Sequence, residues 1–572
     1  MKTPLTAVAV LTAAGAFAQP VPYERILHAE REPHNWLTYS GSYLGHRHSS
    51  LRQIDRENVG RLKVAWVYQA GDKHDAIEKY EASPIVIDGI LYVTETPYVV
   101  TAIDARTGRP IWSYRRKATS GVVGCCGPVN RGLAVLGDAL YLGTYDAHLV
   151  CLDLRTGRER WDVTVADYKT GYSLTVAPLA VKDKIVVGIS GGEFGIRGFL
   201  DAYDARTGAL AWRFWTTAGP DDPGNSTWEG ESWKTGGGAT WVTGTFDPAL
   251  NLVYWGTGNP APDYNGDDRE GDNLYSNSVI ALNADTGRLR WYFQYTPHDL
   301  HDWDSNQVPV LVDADFGGRP RKLLLQANRN TFFYVLDRET GEYLSGTNYT
   351  KQTWARGLDE RGRPVRLPNT APTEEGTLVY PGLAGATNWH SPTYSPLTKL
   401  FYVNAREDFA EVFYKRDEEY KPGDRWESGG TRNVEGAEPY GVVKAIEPAT
   451  GRIRWEFKQQ TKPASGLLST AGGLVFGATN EGHVFALDAE TGQPLWRFLA
   501  GGSPESNPVT YEVDGKQQIA VNAGDALFAF DLMELPTAAR SASGRSAAPA
   551  RGGRPPRTSD TPSGGSAPST RR

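Results

Sequence analysis

Seven times along the chain, an alternation of apolar and polar positions runs into the same turn. The copies read "TAIDARTGRPIW" (101–112), "VCLDLRTGRERW" (150–161), "DAYDARTGALAW" (201–212), "IALNADTGRLRW" (280–291), "YVLDRETGEYL" (334–344), "KAIEPATGRIRW" (444–455) and "FALDAETGQPLW" (485–496). The shared core is a small or apolar residue, x-Asp, two spacers, Thr-Gly, three spacers and Trp. It predicts a strand entering a tight turn, where Gly supplies backbone freedom and Thr a local hydrogen bond. The chain then returns in a strand whose Trp buries a large area on the neighbouring unit. Runs between the copies, such as "SPIVIDGILYVTE" and "TAGGLVFGAT", read as hairpin strands.

The copies start 41 to 110 residues apart, so each is one unit with insertions between units. The last strand, "DALFAFDL" (525–532), needs sheet partners, and "LKVAWVYQA" (62–70) offers one. The pattern predicts an all-β fold over residues 19–535, an eight-bladed β-propeller with tryptophan-docking repeats. First and last strands zip together so that few edges remain open. Cys151 stands where other repeats have Ala or Val, and reads as a packed core residue.

Composition agrees with short strands and tight turns: 63 Gly, 17 Trp and 28 Tyr in 572 residues. Net charge is −7. The segment from Pro536 holds seven Arg and one Asp, which leaves −13 on residues 1–535. A body this acidic argues against nucleic acid and anionic membrane as partners. The Arg/Ser/Pro/Gly stretch 536–572 has too little apolar surface to fold and is expected to be disordered. Residues 1–18, with Lys2, an apolar run and an Ala-Phe-Ala ending, resemble a secretory signal peptide. Nothing later is long and apolar enough to span a bilayer, so the mature chain is expected to be periplasmic or secreted. A homodimer is compatible with the sequence, which does not fix the oligomeric state.

Residues 124–131 read "GCCGPVNR", with two of the three cysteines adjacent. Bonded to each other they would close a small ring with Cα atoms about 3.8 Å apart, below the usual disulfide range of roughly 4.4–6.8 Å. Such a ring closes no loop and adds almost no stability, so it is tolerated mainly where a site uses it. Two reduced thiols are the alternative, and export to an oxidising compartment favours the bond.

Polar clusters lie between the repeats: Glu81, Arg131, Thr175, Ser190 with Glu193, Trp241, Asn259, Asp302 with Asp304, Arg329 and Asn388. Falling in different blades, they can converge on a central axis. Glu193, Asn259, Asp302 and Asp304 are hard oxygen donors suited to Ca²⁺ or a similar ion. Arg131 and Arg329 suit a multiply anionic ligand, and Trp241 offers a flat face.

With the adjacent cysteines, "GGEFGIRG", "YWGTGNP" and "HDWD" in that order among the repeats, the chain resembles the quinoprotein alcohol dehydrogenases that use pyrroloquinoline quinone (PQQ). The resemblance runs from about Asn35 to Asp531. It implies metal ligation by Glu193 and Asn259. It implies quinone contacts from Glu81, Arg131, Thr175, Ser190, Gly191, Gly192, Arg329, Asn388 and Trp389. Trp241 would stack on one face of the quinone and a Cys125–Cys126 disulfide on the other, with Asp302 as the catalytic base. The metal would then act as a Lewis acid while Asp302 takes the alcohol proton, kept ionised by Arg329. The substrate is an alcohol, with a sugar or polyol as the alternative, and a soluble cytochrome c is the expected electron acceptor. No Cys-x-x-Cys-His occurs, so no haem domain is expected.

Asp304 lies two residues past Asp302, and in an extended segment both side chains point the same way. With Glu193 they make three carboxylates around one ion, which balance a trivalent cation. In the family an acidic residue there marks the lanthanide-dependent branch, so a lanthanide ion is expected, with Ca²⁺ as the alternative. His46, His48, His298 and His301 read as satisfied loop histidines rather than zinc ligands. Ala464 stands near where the family has a late tryptophan, and insertions around 345–380 and 405–440 are expected to build the entrance. A non-catalytic propeller scaffold would explain the repeats but not the polar clusters.

Overall fold

Each repeat folds around a side-chain hydrogen bond. Asp153 accepts from the Thr156 amide at 2.9 Å and its hydroxyl at 2.8 Å, and Asp204 holds Thr207 in the same way at 2.8 and 2.7 Å. The glycine that follows adopts a left-handed backbone, φ 67° at Gly287 and 79° at Gly341, and is the surface on which the preceding repeat's tryptophan sits. A Cβ on Gly287 would come within 2.7 Å of the Trp212 ring, and one on Gly341 within 2.7 Å of Trp291. The same pairing joins Trp66 to Gly108, Trp112 to Gly157, Trp161 to Gly208 and Trp455 to Gly492. Several of these indoles also donate to a carbonyl of the next sheet, Trp212 to Ala284 at 3.0 Å and Trp455 to Ala489 at 3.1 Å. Tryptophan on glycine is therefore the contact at six of these junctions, while Gly451 meets Thr347 after the repeat that lacks a Trp.

The computed structural model describes residues 18–71, 80–95 and 98–534. Most of the expected leader and the whole of the expected disordered tail 536–572 lie outside them. Among the described residues the chain is nearly all β, with one short α-helix, Tyr23–Leu27. Strands assemble into antiparallel sheets built mostly from sequence neighbours, such as Ile85–Ile87, Ile90–Glu95, Val99–Asp104 and Arg109–Arg115. Eight sheets have four or five strands; a three-stranded sheet and the hairpin Ala355–Leu358 with Pro364–Arg366 come from the two insertions.

Leu62–Gln69 pairs antiparallel with Ala526–Leu532, from Leu62 opposite Leu532 to Gln69 opposite Ala526. The beginning and end of the folded chain thus share one sheet, as the sequence predicts. Inner strands are buried on both faces, as His148–Asp153 shows with Leu149, Val150, Cys151 and Leu152 at or near zero exposure. Cys151 is the core residue its repeat position implies, and burial pushes its thiol up to about 12. No described helix is long and apolar enough to cross a membrane.

Candidate functional site

The loops flanking the first two strands of successive sheets meet at a cavity of about 230 Å³. All sixteen residues singled out in the sequence line it: Glu81, Cys125, Cys126, Arg131, Thr175, Ser190, Gly191, Gly192, Glu193, Trp241, Asn259, Asp302, Asp304, Arg329, Asn388 and Trp389. Six of the eight larger sheets contribute, at similar places. Arg131 precedes strand Ala134–Leu136, Thr175 precedes Leu179–Val181, Asn259 follows Leu252–Gly256, and Arg329 follows Arg319–Ala327.

One wall is a buried polar chain. Arg131 pairs with Glu81 at 2.6 Å and donates to the Thr175 hydroxyl at 2.9 Å, which is 2.7 Å from the Ser190 hydroxyl. The Arg131 guanidinium lies 4.7 Å from the Trp241 ring centre and 5.1 Å from that of Trp389. Trp389 stacks on His390 at 4.4 Å. Ala464 is buried but does not line the cavity, so Trp389 and His390 supply the aromatic surface here.

Cys125 and Cys126 are bonded to each other, Cα atoms 3.8 Å apart. Both sulfurs and a Glu193 carboxylate oxygen lie within 4.8 Å of one another. Glu193 rides on the short turn Gly192–Phe194. That turn is capped by the second insertion, whose Trp426 amide donates to the Glu193 carbonyl at 2.7 Å.

The acidic cluster is denser than the sequence reading. Asp302 and Asp304 both reach Arg329, at 3.6 and 3.0 Å. Asp304 is 5% exposed. It also accepts from the Trp241 indole at 3.2 Å and the Asn259 amide at 3.0 Å, so it fixes the flat platform and one oxygen donor together. Asp302 is not extended, as expected, but left-handed at φ 53°. The two carboxylates converge on Arg329 through that turn rather than through strand alternation.

Burial and mutual repulsion raise all these acids. Burial first, then Asp304, pushes Glu193 up to about 7. Burial, then Asp304, raises Asp302 well above its ordinary value, while the Arg329 charge opposes the rise and favours the ionised form. Asp304 is raised by burial, with Arg329 opposing.

Two residues went unnoticed in the sequence. Asp263, 1% exposed, accepts from the Asn259 side-chain amide at 2.7 Å and is raised well above its ordinary value by burial and by Glu193. Arg406 also lines the cavity and is 7% exposed. Neither stands in a repeat or a quoted motif, and only burial marks them.

The histidines are satisfied locally. His46 contacts the Leu311 carbonyl at 2.6 Å and His48 the Ser469 hydroxyl at 2.8 Å, while His298 contacts Gly271 and His301 contacts Thr370, each at 2.9 Å.

The donor set fits a hard cation and an anionic ring. Glu193, Asp302, Asp304 and the Asn259 carbonyl offer oxygen donors, and the carboxylates raised by burial are those whose ionised form a multivalent cation would favour. Asp302 Oδ1, Arg131 Nε and Arg329 Nε are buried without a hydrogen-bond partner among the described residues, groups that a polycarboxylated, carbonyl-bearing ligand would satisfy.

Residues 36–351 match the family described as glucose/ethanol/alcohol dehydrogenase, beta-propeller domain. Residues 439–538 match outer membrane protein assembly factor BamB. The chain is 37% identical over 554 residues to quinoprotein alcohol dehydrogenase PedH of Pseudomonas putida, covering 91% of this chain and 92% of that one. It is 39% identical over 565 residues to quinohemoprotein alcohol dehydrogenase ADH-IIG of Pseudomonas putida, covering 91% and 78%. A europium-containing methanol dehydrogenase superposes with a TM-score of 0.84 at 32% identity, covering 89% and 100%.

Proposed function

The chain belongs to the PQQ-dependent quinoprotein alcohol dehydrogenases, and from that membership we propose that it is an exported, periplasmic enzyme oxidising an alcohol to the aldehyde with a lanthanide-bound PQQ. The eight four- and five-stranded sheets are read as eight blades of one ring around the cavity. A bound PQQ would supply an acceptor for hydride from the alcohol carbon, and the cation a Lewis acid at the quinone.

The protein's own residues do the rest. Trp241 supports one face of the ring and the Cys125–Cys126 disulfide covers the other. Arg131 with Glu81, Thr175, Ser190, Gly191 and Gly192, and Asn388 with Trp389, hold the ring's edges. Glu193, Asn259, Asp302 and Asp304 hold the cation, and Asp263 orients Asn259. Asp302 would take the alcohol's hydroxyl proton, and Arg329 fixes Asp302 and Asp304 in register. A soluble cytochrome c would be the electron acceptor.

One observation supports this reading most: Asp302 and Asp304 share Arg329 beside Glu193, Asn259 and the indole of Trp241. Three ionised carboxylates overcompensate Ca²⁺ and match a trivalent ion. The europium-containing relative lends the same weight, and Ca²⁺ remains the second choice. A dye-linked assay of PQQ-reconstituted protein over alcohols, aldehydes and sugars tests the activity. Turnover of primary alcohols supports the reading, and no turnover of any alcohol with PQQ and cation present contradicts it.

A further inference from the structure

Among the described residues three arginines line the cavity, and two of them have acidic partners. Arg131 pairs with Glu81, and Arg329 with Asp302 and Asp304. Arg406 sits at the end of strand Leu400–Glu407 with its main-chain amide on the Ala386 carbonyl at 2.7 Å. Its side chain makes one hydrogen bond, from Nη1 to the Ala384 carbonyl at 3.2 Å, and the same carbonyl accepts from the Asn388 amide at 3.3 Å. Nε is buried and has no hydrogen-bond partner among the described residues. No carboxylate lies within ion-pair distance of it among the described residues. Burial and the nearby Arg329 push its guanidinium down to about 10. A cation this buried and uncompensated is costly, and its open face is the cavity.

We propose that Arg406 is a receptor for a carboxylate of the molecule bound in the cavity, an anionic subsite beside Asn388 and apart from the Arg131 wall. The proposal rests on the reading of this cavity as the cofactor's seat. A planar guanidinium suits a carboxylate in paired, charge-assisted hydrogen bonds. Two sources carry that chemistry, a ring carboxylate of PQQ and the carboxylate of a hydroxy-acid substrate.

The test is a PQQ binding isotherm of the full chain with La³⁺, followed by tryptophan fluorescence, for wild type, Arg406→Met and Arg406→Lys. It is paired with KM values for a hydroxy acid and a neutral alcohol of equal length. A ring carboxylate predicts PQQ binding weakened about tenfold to a hundredfold in Arg406→Met, partly restored in Arg406→Lys, with no lower melting point for the cofactor-free chain. A substrate carboxylate predicts unchanged PQQ affinity and a raised KM for the hydroxy acid alone. If neither PQQ affinity nor hydroxy-acid KM changes in the folded variants, the proposal is overturned. If Arg406→Met does not fold, Arg406→Lys decides: unchanged values there overturn it too. Wild-type chain that binds no PQQ would defeat the cofactor reading rather than the role of Arg406.

Discussion

The Asn259 side-chain amide donates to Asp263 at 2.7 Å, which fixes the orientation of the Asn259 carbonyl. That oxygen faces the glutamate-bearing turn, 3.4 Å from where a Cβ on Gly192 would lie. A buried carboxylate therefore decides which end of a neutral amide is presented to the cation.

Replacing Asp263 with Leu should free that amide and weaken cation binding by about 10- to 100-fold, the usual effect of losing an orienting partner. Asp263→Asn should do less, because its amide oxygen can still accept the bond. Terbium luminescence titration reads both, and equal affinity in all three proteins would remove Asp263 from the site.

Asp302→Asn keeps the size and loses the base. If Asp302 takes the alcohol proton, kcat should fall about 10²- to 10⁴-fold, while PQQ still binds through Arg131 and Trp241. A kcat within a few-fold of wild type at saturating PQQ and La³⁺ would assign the proton to another group.

The bond between Cys125 and Cys126 encloses no loop, so removing it should barely shift the melting point. The Cys125→Ala, Cys126→Ala double variant should fold, melt near wild type and lose most turnover with PQQ. Unchanged turnover would return the pair to ordinary structural residues.

Protonation of the acids gives a pH signature without the cation. Glu193 rises from 4.5 to about 7 in the folded chain, so its contribution to stability is full below about 4.5 and is lost as pH rises toward 7. Relative to Glu193→Gln, the cation-free protein should lose melting temperature across that window. La³⁺ should abolish the loss and bind more tightly as pH rises, because binding expels protons. Parallel melting profiles of the two proteins would show that Glu193 is ionised without a cation.

Much of this was legible in the chain because it is local. The Asp-x-x-Thr-Gly turn is made of residues three or four apart, so the sequence alone specifies it, and a Trp packed on the neighbouring unit follows from its repetition, though not the glycine it sits on. Glu193 and Asn259 stood out as polar residues in glycine-rich runs, and Asp302 with Asp304 as a pair in the acidic run HDLHDWD. What the sequence could not show came from burial and backbone conformation. Asp263 and Arg406 look like ordinary surface charges until distant sheets close over them. Asp302 looks extended until its left-handed backbone is seen.

The most direct test is a cation titration of PQQ-loaded chain that had its metal removed, reading bound ion per chain and alcohol turnover together. Glu193, Asn259, Asp302 and Asp304 sharing one hard ion predicts a single ion per chain, with turnover rising in step with La³⁺ at lower concentration than with Ca²⁺. Turnover that is complete without added cation, or full with Ca²⁺ and not reached with La³⁺, would contradict it.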